Sequence, residues 1–251
     1  MEEVELKRKR FIELMRKSDG APYYIFTDFL GLSEQSIFFE VKRDFPHVKY
    51  KSFGGVLGAE RQILRFGDEE EVGYDLPFPI VTLKIEPKSQ KFAEKLTHRD
   101  FLGSILGLGL ERTKIGDIVI RDNVGYVFVS DDVSEYITES LTKVRRTDVI
   151  TRIVDALPEG ELYKTERRRL QAVGERVDAI IAKLFSISRD ESLSLFKKGL
   201  VFADGRTLTS ASYIPKEGEV ISARGLGRFI YRGYDSLTKK GKLNIEVDLY
   251  V

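Results

Sequence analysis

The sequence predicts an α+β protein made of several small domains. Its 251 residues allow one large domain or two to three small ones, and 42% of them are hydrophobic, which is enough to bury cores. Stretches with apolar residues at helical spacing are interspersed with stretches that alternate apolar and polar residues, as strands do. Glycine and proline separate these stretches, which indicates turns and domain boundaries.

The composition excludes several kinds of site. The chain has no cysteine, so it cannot contain a disulfide, a thiolate zinc site or a cysteine nucleophile. Its only histidines, His47 and His98, argue against a histidine-rich metal site and a Ser-His-Asp triad. No apolar run reaches the ~20 residues of a membrane span, and the N-terminus lacks a signal-peptide pattern. We therefore expect a cytoplasmic protein with no metal, no cofactor and no membrane contact.

Residues 1–75 are predicted to form an N-terminal α/β region. Residues 2–18 carry apolar side chains at helical spacing, which predicts an amphipathic helix, and a second helix is predicted to begin at Ser33. Two strands follow, joined by the glycine-containing loop 53–61, which fits either a hairpin turn or a phosphate-binding nest. The sequence DLPFP at 75–79 then indicates a linker or boundary, because its two prolines suit neither a helix nor a central strand.

Residues 76–155 carry a regular order of strand, helix, strand, strand, helix, strand. This is the split βαβ arrangement of the ferredoxin-like fold, so we expect an RRM-like domain. Many unrelated functions use that fold, and topology alone therefore assigns none. Tyr126 and Phe128 share one face of a strand whose sequence is similar to an RNP motif. They either stack on RNA bases or pack under another domain; the first strand supplies no aromatic residue, which favours packing.

Residues 156–175 are predicted to be a basic connector between domains, with a strand or helix fragment near 164–170. The run Arg167-Arg168-Arg169 gives this segment a high density of positive charge. Such a run is either simply solvated or extends the footprint of an adjacent RNA-binding domain.

Net charge differs between the two ends of the chain. Residues 161–251 contain 17 Lys and Arg against 12 Asp and Glu, a net charge of +5. Residues 1–160 contain 24 against 28, a net charge of −4. This asymmetry points to an anionic partner at the C-terminal end.

Residues 176–251 are predicted to form two helices and a small β-sheet with a C-terminal β extension. Ser188 and Glu191 fit a capping box at the start of the second helix. Asp204-Gly205 indicates a tight hairpin turn between strands. The domain therefore combines a helical pair with a sheet made largely of hairpins.

Five short motifs follow one another over about fifty residues of this domain: Arg176-Val177-Asp178, Ser188-Arg189, Lys198-Gly199-Leu200-Val201, Asp204-Gly205 and Gly218-Glu219-Val220-Ile221. Their order and spacing resemble an S-four RNA-binding domain, named for the small-subunit ribosomal protein in which it occurs. Because all five match together, the resemblance is specific. Two residues depart from the pattern: Asp204 stands where Asn is usual, and Ser192 stands where Ala is usual.

The resemblance extends beyond this domain. GAERQILRF, THRDFLGSILGLGLERTKIGDIVI and the RGLGRF of 224–229 are similar to the YlmH group of bacterial proteins. That group joins an N-terminal region, an RRM-like middle domain and a C-terminal S-four domain. The resemblance implies binding to ribosomal RNA of the large subunit. It also implies a role in ribosome-associated quality control, on stalled large subunits that carry peptidyl-tRNA.

The resemblance places the RNA-binding surface on the two helices of the C-terminal domain. Their basic side chains would contact phosphates, and the helix N-terminus at Ser188 would add partial positive charge. Arginines in the turns would form the rim, and the alternative is a solvated basic face without a ligand. The candidate RNA-binding residues are Arg176, Ser188, Arg189, Lys197, Lys198, Arg206, Arg224 and Arg228.

We expect RNA binding without catalysis, and no residue is assigned a catalytic role. The chain carries no tRNA-synthetase signature and no cofactor glycine loop, and only about 160 residues precede the connector. Two alternatives remain open. One is an accessory to an RNA-modifying enzyme, and the other is a protein–protein adaptor at the ribosome or the cell-division machinery.

Overall fold

The computed structural model describes residues 2–155, 163–238 and 241–251. The chain divides into two compact units, Met1–Leu162 and Tyr163–Val251. Both units combine helices with antiparallel sheets, which confirms the predicted α+β class. The first part of the predicted connector, 156–162, lies outside the described residues.

The first unit begins with helices packed on a three-stranded sheet. Its elements are α1 (Glu2–Ser18), α2 (Leu32–Lys42), α3 (Glu69–Val72), β1 (Ile25–Phe26), β2 (Tyr50–Phe53) and β3 (Ile63–Phe66), with β3 at the centre of the sheet. Helix α1 buries Phe11, Leu14 and Met15, the face that the helical spacing predicts. Phe11 meets Phe38 of α2 edge-on, with ring centroids 5.7 Å apart. This aromatic contact joins the two helices above the sheet.

The sequence suggests Ser33 as the N-cap of the second helix, but α2 begins two residues earlier than that cap implies. Gly31 is its N-cap residue, and Ser33 lies inside the first turn. The Glu34 carboxylate accepts a hydrogen bond from the Gly31 backbone N–H at 2.9 Å. Because this carboxylate satisfies the N-terminal amide, the helix does not require the Ser33 hydroxyl as a cap.

The middle of the first unit is a five-stranded antiparallel sheet with two helices on one face. Its elements are β4 (Ile80–Pro87), α4 (His98–Leu106), β5 (Ile115–Arg121), β6 (Val124–Ser130), α5 (Asp131–Ser140), β7 (Lys143–Val144) and β8 (Thr147–Ile153), and the strand order is β5-β6-β4-β8-β7. Phe101, Ile105 and Ile137 of the helices pack against Val127 and Val129 of β6. Apart from the short strand β7, the elements occur in the order that the sequence predicts.

Arg61 and Asp117 join the N-terminal region to this sheet. The Asp117 carboxylate accepts hydrogen bonds from the backbone N–H groups of Glu60 at 2.7 Å and Arg61 at 3.0 Å. The Arg61 guanidinium donates to the carbonyl oxygens of Phe29 and Ile115, each at 2.9 Å. Two of the sequence segments that resemble the YlmH group therefore meet here, and the contact they make is structural.

The boundary stretch 75–79 is packed rather than extended between domains. The Phe78 ring lies 5.9 Å from that of Phe26 and 5.7 Å from that of Phe53, centroid to centroid. Phe78 also packs against the cluster that contains Ile63. The two prolines do end regular structure, but the phenylalanine between them holds the segment against the three-stranded sheet.

The second unit is a six-stranded antiparallel sheet with two helices on one face. Its elements are β9 (Thr165–Ala172), α6 (Val177–Leu184), α7 (Arg189–Lys197), β10 (Val201–Ala203), β11 (Arg206–Thr207), β12 (Val220–Ala223), β13 (Gly227–Leu237) and β14 (Leu243–Tyr250), and the strand order is β11-β10-β12-β13-β14-β9. Val177, Ile180 and Ile181 of α6 pack on the sheet beside Phe229 and Val247. The apolar side chains that recur at helical spacing in α6 therefore hold this helix against the sheet.

Strand β9 lies where the sequence predicts a strand or helix fragment near 164–170, but it belongs to the sheet of the second unit and is not a connector. Residues 165–172 pair along their full length with β14, so that Arg167 lies opposite Asp248 and Arg169 lies opposite Glu246. Ala172 is buried in the core of the second unit, with Leu170 packed against that core. The strand is hard to recognise in the sequence because its remaining side chains are charged or polar and exposed.

Candidate RNA interface

Two short helices position the predicted RNA-binding side chains. Helix α7 begins with the predicted capping box: the Ser188 hydroxyl accepts from the Glu191 N–H at 3.1 Å, and the Glu191 carboxylate accepts from the Ser188 N–H at 2.8 Å. The hydrogen bond that the carboxylate accepts from the Ser188 backbone N–H is the largest cause that lowers the pKa of Glu191, followed by a side-chain hydrogen bond with Ser188. Helix α6 begins directly after Arg176, its N-cap residue. The starts of both helices therefore carry an arginine, Arg176 and Arg189.

A groove of about 960 Å³ lies beside these two helix starts. Four cations line it: Arg176, Lys183, Arg189 and Lys242. No acidic side chain of the described residues is among its lining groups. The rest of the lining is small, polar or aliphatic: Gln171, Ala172, Val173, Gly174, Ala179, Ala182, Ser186 and Ile187. Cations together with aliphatic side chains suit a polyanion that also presents flat apolar surface, as RNA does.

One buried carboxylate holds the two arginines of this groove. Asp178 has no exposed surface, and its two carboxylate oxygens accept from Arg176 Nε at 3.0 Å and from an Arg176 terminal nitrogen at 3.1 Å. Arg189 Nε lies 3.5 Å from the same carboxylate. Asp178 thus contacts a guanidinium group from each helix start.

Lys197 and Lys198 occupy the other end of α7. Both are exposed, and Lys198 is the C-cap residue of the helix. At 1.5 Å per residue, Lys198 lies roughly 13 Å along the axis from Arg189. The structure therefore brings Arg176 and Arg189 together but does not place the two lysines in the groove.

The three predicted rim arginines lie on the sheet and its turns. Arg206 begins β11, and Arg224 lies in the turn between β12 and β13; both are exposed. The Arg228 guanidinium stacks on two rings, 4.4 Å from the centroid of Tyr163 and 4.1 Å from that of Tyr250. None of the three lines the groove.

The arginine run of β9 is held by carboxylates. Arg167 pairs with Glu246 at 3.0 Å and with Asp248, and Arg169 pairs with Glu246 at 2.8 Å and with Asp235 at 2.6 Å. The hydrogen bond to Asp248 raises the pKa of Arg167, and the one to Glu246 raises the pKa of Arg169.

The middle arginine of the run is also ion-paired. Arg168 contacts Glu166 of its own strand. Acidic neighbours therefore offset much of the positive charge that the sequence displays in this run.

The two departures from the S-four pattern have visible roles. The Asp204 carboxylate accepts a hydrogen bond from the Val220 N–H at 3.0 Å, so this carboxylate has a hydrogen-bond partner within the domain. Asp204 and Gly205 have positive φ angles of 43° and 78°, which a two-residue hairpin of this kind requires. Ser192 is fully buried, and its hydroxyl donates to the Asp178 carbonyl oxygen at 2.8 Å.

Tyr126 and Phe128 do not face solvent. Phe128 has no exposed surface, and both rings pack in one cluster with Phe29 and Ile63 of the N-terminal region. Gly55 lies so close to the Phe128 ring that an added Cβ would be 2.3 Å from it, and its φ is +94°. The glycine loop thus closes a hairpin over this face of the sheet, and the aromatic pair serves as a contact between parts of the first unit.

Sequence reasoning missed two of the groove cations. Lys183 follows Arg176 by seven residues, about two helical turns, so helical periodicity alone could have placed both on one side. Periodicity could not predict Lys242, which lies 66 positions after Arg176 and reaches the groove only through the β13–β14 hairpin.

The described residues form neither a metal-binding group nor a membrane-spanning helix. Within residues 2–155, 163–238 and 241–251, no three His, Asp or Glu side chains are grouped so that they could hold a metal ion. Across these ranges, no helix has the length and apolar character needed to cross a membrane.

Known proteins resemble the chain in sequence. The family model described as a putative RNA-binding domain in YlmH matches residues 76–156. The ribosome-associated protein quality control protein P2 of Bacillus subtilis (strain 168) is 30% identical over 226 residues, which is 87% of this chain and 84% of that protein. A solved structure, cell division protein ylmH from Streptococcus pneumoniae, is 20% identical with a TM-score of 0.49, covering 61% of this chain and 91% of that one. The extent and identity of the Bacillus match, together with the family model, show that the chain belongs to the YlmH family.

Proposed function

We propose that this protein binds structured RNA, without catalysing a reaction on it, through the groove between the starts of α6 and α7. The observation that carries the proposal is the groove lining, which gathers four cations and, among the described residues, no acid. Phosphate contacts from Lys and Arg supply most of the affinity of RNA-binding proteins and fix their register on the nucleic acid. The cations come from three separate places in the chain, so they form a surface only when the domain is folded.

The fold supports assigning this unit to the S-four type. It has the paired helices, the capped second helix and the tight hairpin that the sequence motifs indicate. Strand β9 and the long β13–β14 hairpin extend the sheet beyond the motifs. In the first unit, the strand order β5-β6-β4-β8 with two helices on one face supports the RRM-like assignment of residues 76–155.

The target we propose is ribosomal RNA of the large subunit, on stalled subunits that retain peptidyl-tRNA, in the cytoplasm. The name of the Bacillus relative supports ribosome-associated quality control as the process. Residues 1–160 carry a net charge of −4, which weakens their non-specific attraction to RNA phosphates. Within them, residues 76–156 match the family model described as a putative RNA-binding domain, which supports a second, more specific contact with tRNA or protein on the same particle. Two contacts on one particle raise the avidity ~10²–10⁴-fold.

Sedimentation of the tagged protein through sucrose gradients tests the target. We expect the wild-type protein to co-migrate with large subunits enriched in peptidyl-tRNA. The double variant Arg176→Gln and Arg189→Gln should remain at the top of the gradient, because it loses two groove cations. The matched control, Lys9→Gln and Arg16→Gln on the exposed side of α1, loses the same charge and should sediment as wild type. Sedimentation of the wild-type protein only with small subunits, or only at the top, would contradict the proposal.

A further inference from the structure

We infer that Asp178 is a positioning residue, which fixes the guanidinium groups of Arg176 and Arg189 in the geometry that recognises structured RNA. The inference deepens the proposed function and rests on it. Asp178 itself does not line the groove. It acts behind the surface, through the two arginines that do.

Hydrogen bonds hold both the side chain and the backbone of Asp178 in place. Its carboxylate is completely buried and engages Arg176 through two hydrogen bonds of 3.0 and 3.1 Å, with Arg189 at 3.5 Å. The backbone is held as well: the Asp178 N–H donates to the Ala211 carbonyl at 3.3 Å, and its carbonyl accepts from the Ser192 hydroxyl at 2.8 Å. A carboxylate fixed from so many sides defines where its guanidinium partners lie.

The two arginines are otherwise solvated. The Arg176 side chain is 45% exposed and that of Arg189 is 63% exposed. Without a fixed partner, such long side chains sample many rotamers, and an RNA ligand would have to restrict them on binding. The bidentate pair leaves the remaining N–H groups of Arg176 directed away from Asp178, available to phosphate oxygens.

Charge alone predicts the opposite effect of removing this carboxylate. Asp178 is an acid next to a polyanion site, so neutralising it makes the groove more positive and should strengthen binding to any RNA. A positioning role predicts weaker binding to structured RNA, because the guanidinium groups lose their fixed geometry. The two accounts therefore differ in the sign of the change.

The test is fluorescence anisotropy of the full-length protein with a labelled RNA hairpin and with a single-stranded oligouridine of equal length. For Asp178→Asn we expect the Kd for the hairpin to rise about tenfold, while the Kd for oligouridine stays equal or falls. The control is Asp190→Asn, an exposed acid in the first turn of α7, which removes the same charge and leaves the ion pairs of both arginines with Asp178 in place. This control should bind both RNAs as tightly as wild type or more tightly.

A double-mutant cycle shows whether Asp178 acts through Arg176. In an Arg176→Gln background, the Asp178→Asn change should weaken hairpin binding less than it does in the wild-type background, because only Arg189 is left for Asp178 to position. A general loss of structure would weaken binding equally in both backgrounds. If Asp178→Asn fails to fold in thermal denaturation, Arg176→Lys replaces it, since it keeps the charge and removes the bidentate geometry. We expect Arg176→Lys to lose hairpin affinity and keep oligouridine affinity.

The outcomes separate the inference from the proposed function. If the wild-type protein binds neither RNA, the proposed function fails. If the wild-type protein binds the hairpin, and Asp178→Asn or its replacement Arg176→Lys binds it as tightly as wild type, RNA binding stands and the positioning role is overturned.

Discussion

At the scale of single residues, burial decides which aromatic side chains can meet RNA. Phe128 has no exposed surface and packs beside Phe29 and Ile63. Base stacking requires an accessible ring face, and the N-terminal region covers this one. The RNP-like sequence of β6 is therefore explained by packing within the first unit.

Phe128→Leu tests this at one position. We expect the variant to lose roughly 1–2 kcal/mol of stability, measured as a lower midpoint of thermal or chemical unfolding, because a buried ring is replaced by a smaller side chain. Its affinity for RNA should be unchanged. Phe92→Leu, at a ring that is 82% exposed, is the control and should alter neither property. A Phe128→Leu variant with wild-type stability and weaker RNA binding would show that the ring does stack on bases.

Glu191 gives a residue-scale prediction for pH. Its pKa is lowered in the folded protein, so its contribution to stability is fully present above the pKa of the unfolded chain, ~4.3, and is lost as the pH falls through the folded value. Glu191→Gln keeps an acceptor oxygen and removes the charge. We expect its melting temperature to lie below that of wild type at pH 7, with the gap narrowing as the pH falls through the folded pKa of Glu191. Glu217→Gln, an exposed turn residue, serves as control. A gap that does not narrow as the pH is lowered would argue against a charge-dependent cap.

At the scale of elements, the sequence predicts helices better than the strand that completes the second unit. The capping box of α7 is readable because it depends on two residues three positions apart, Ser188 and Glu191. For β9 the sequence predicts only a strand or helix fragment near 164–170, because its pairing partner β14 lies about eighty positions away and supplies the acids that neutralise Arg167 and Arg169. A local sequence pattern predicts local structure such as a helix cap. The pairing of two strands far apart in the chain depends on residues that no local pattern contains.

The role of β9 can be tested by truncation. A fragment of residues 163–251 retains the strand, and a fragment of 173–251 lacks it. We expect the shorter fragment to unfold at a lower temperature and to aggregate more readily, because β14 becomes an exposed edge and Ala172 no longer covers the core. Differential scanning calorimetry of both fragments makes the comparison. Equal melting temperatures would show that residues 163–172 act only as a connector.

At the scale of the whole molecule, the sequence motifs predict some of the groove residues, and the fold brings in the others. Arg176 and Arg189 follow from the motifs, and both line the groove. Lys198 belongs to the same motifs and Lys197 precedes it, but both lie at the far end of α7. Lys242 enters the groove only through the folding of the β13–β14 hairpin, so no linear pattern predicts it. Net charge shows which end of the chain is basic. The fold of the second unit determines which of these basic side chains line the groove.

The most direct test of the RNA-binding groove is the salt dependence of RNA affinity. For the full-length protein and a duplex RNA hairpin, log K falls with log salt, and each phosphate contact contributes about 0.9 to the slope of a duplex. We expect Arg176→Gln and Arg189→Gln each to reduce the slope by about that amount, while Lys9→Gln on α1 leaves it unchanged. If both groove variants keep the wild-type slope and affinity, the groove is not the RNA-binding surface.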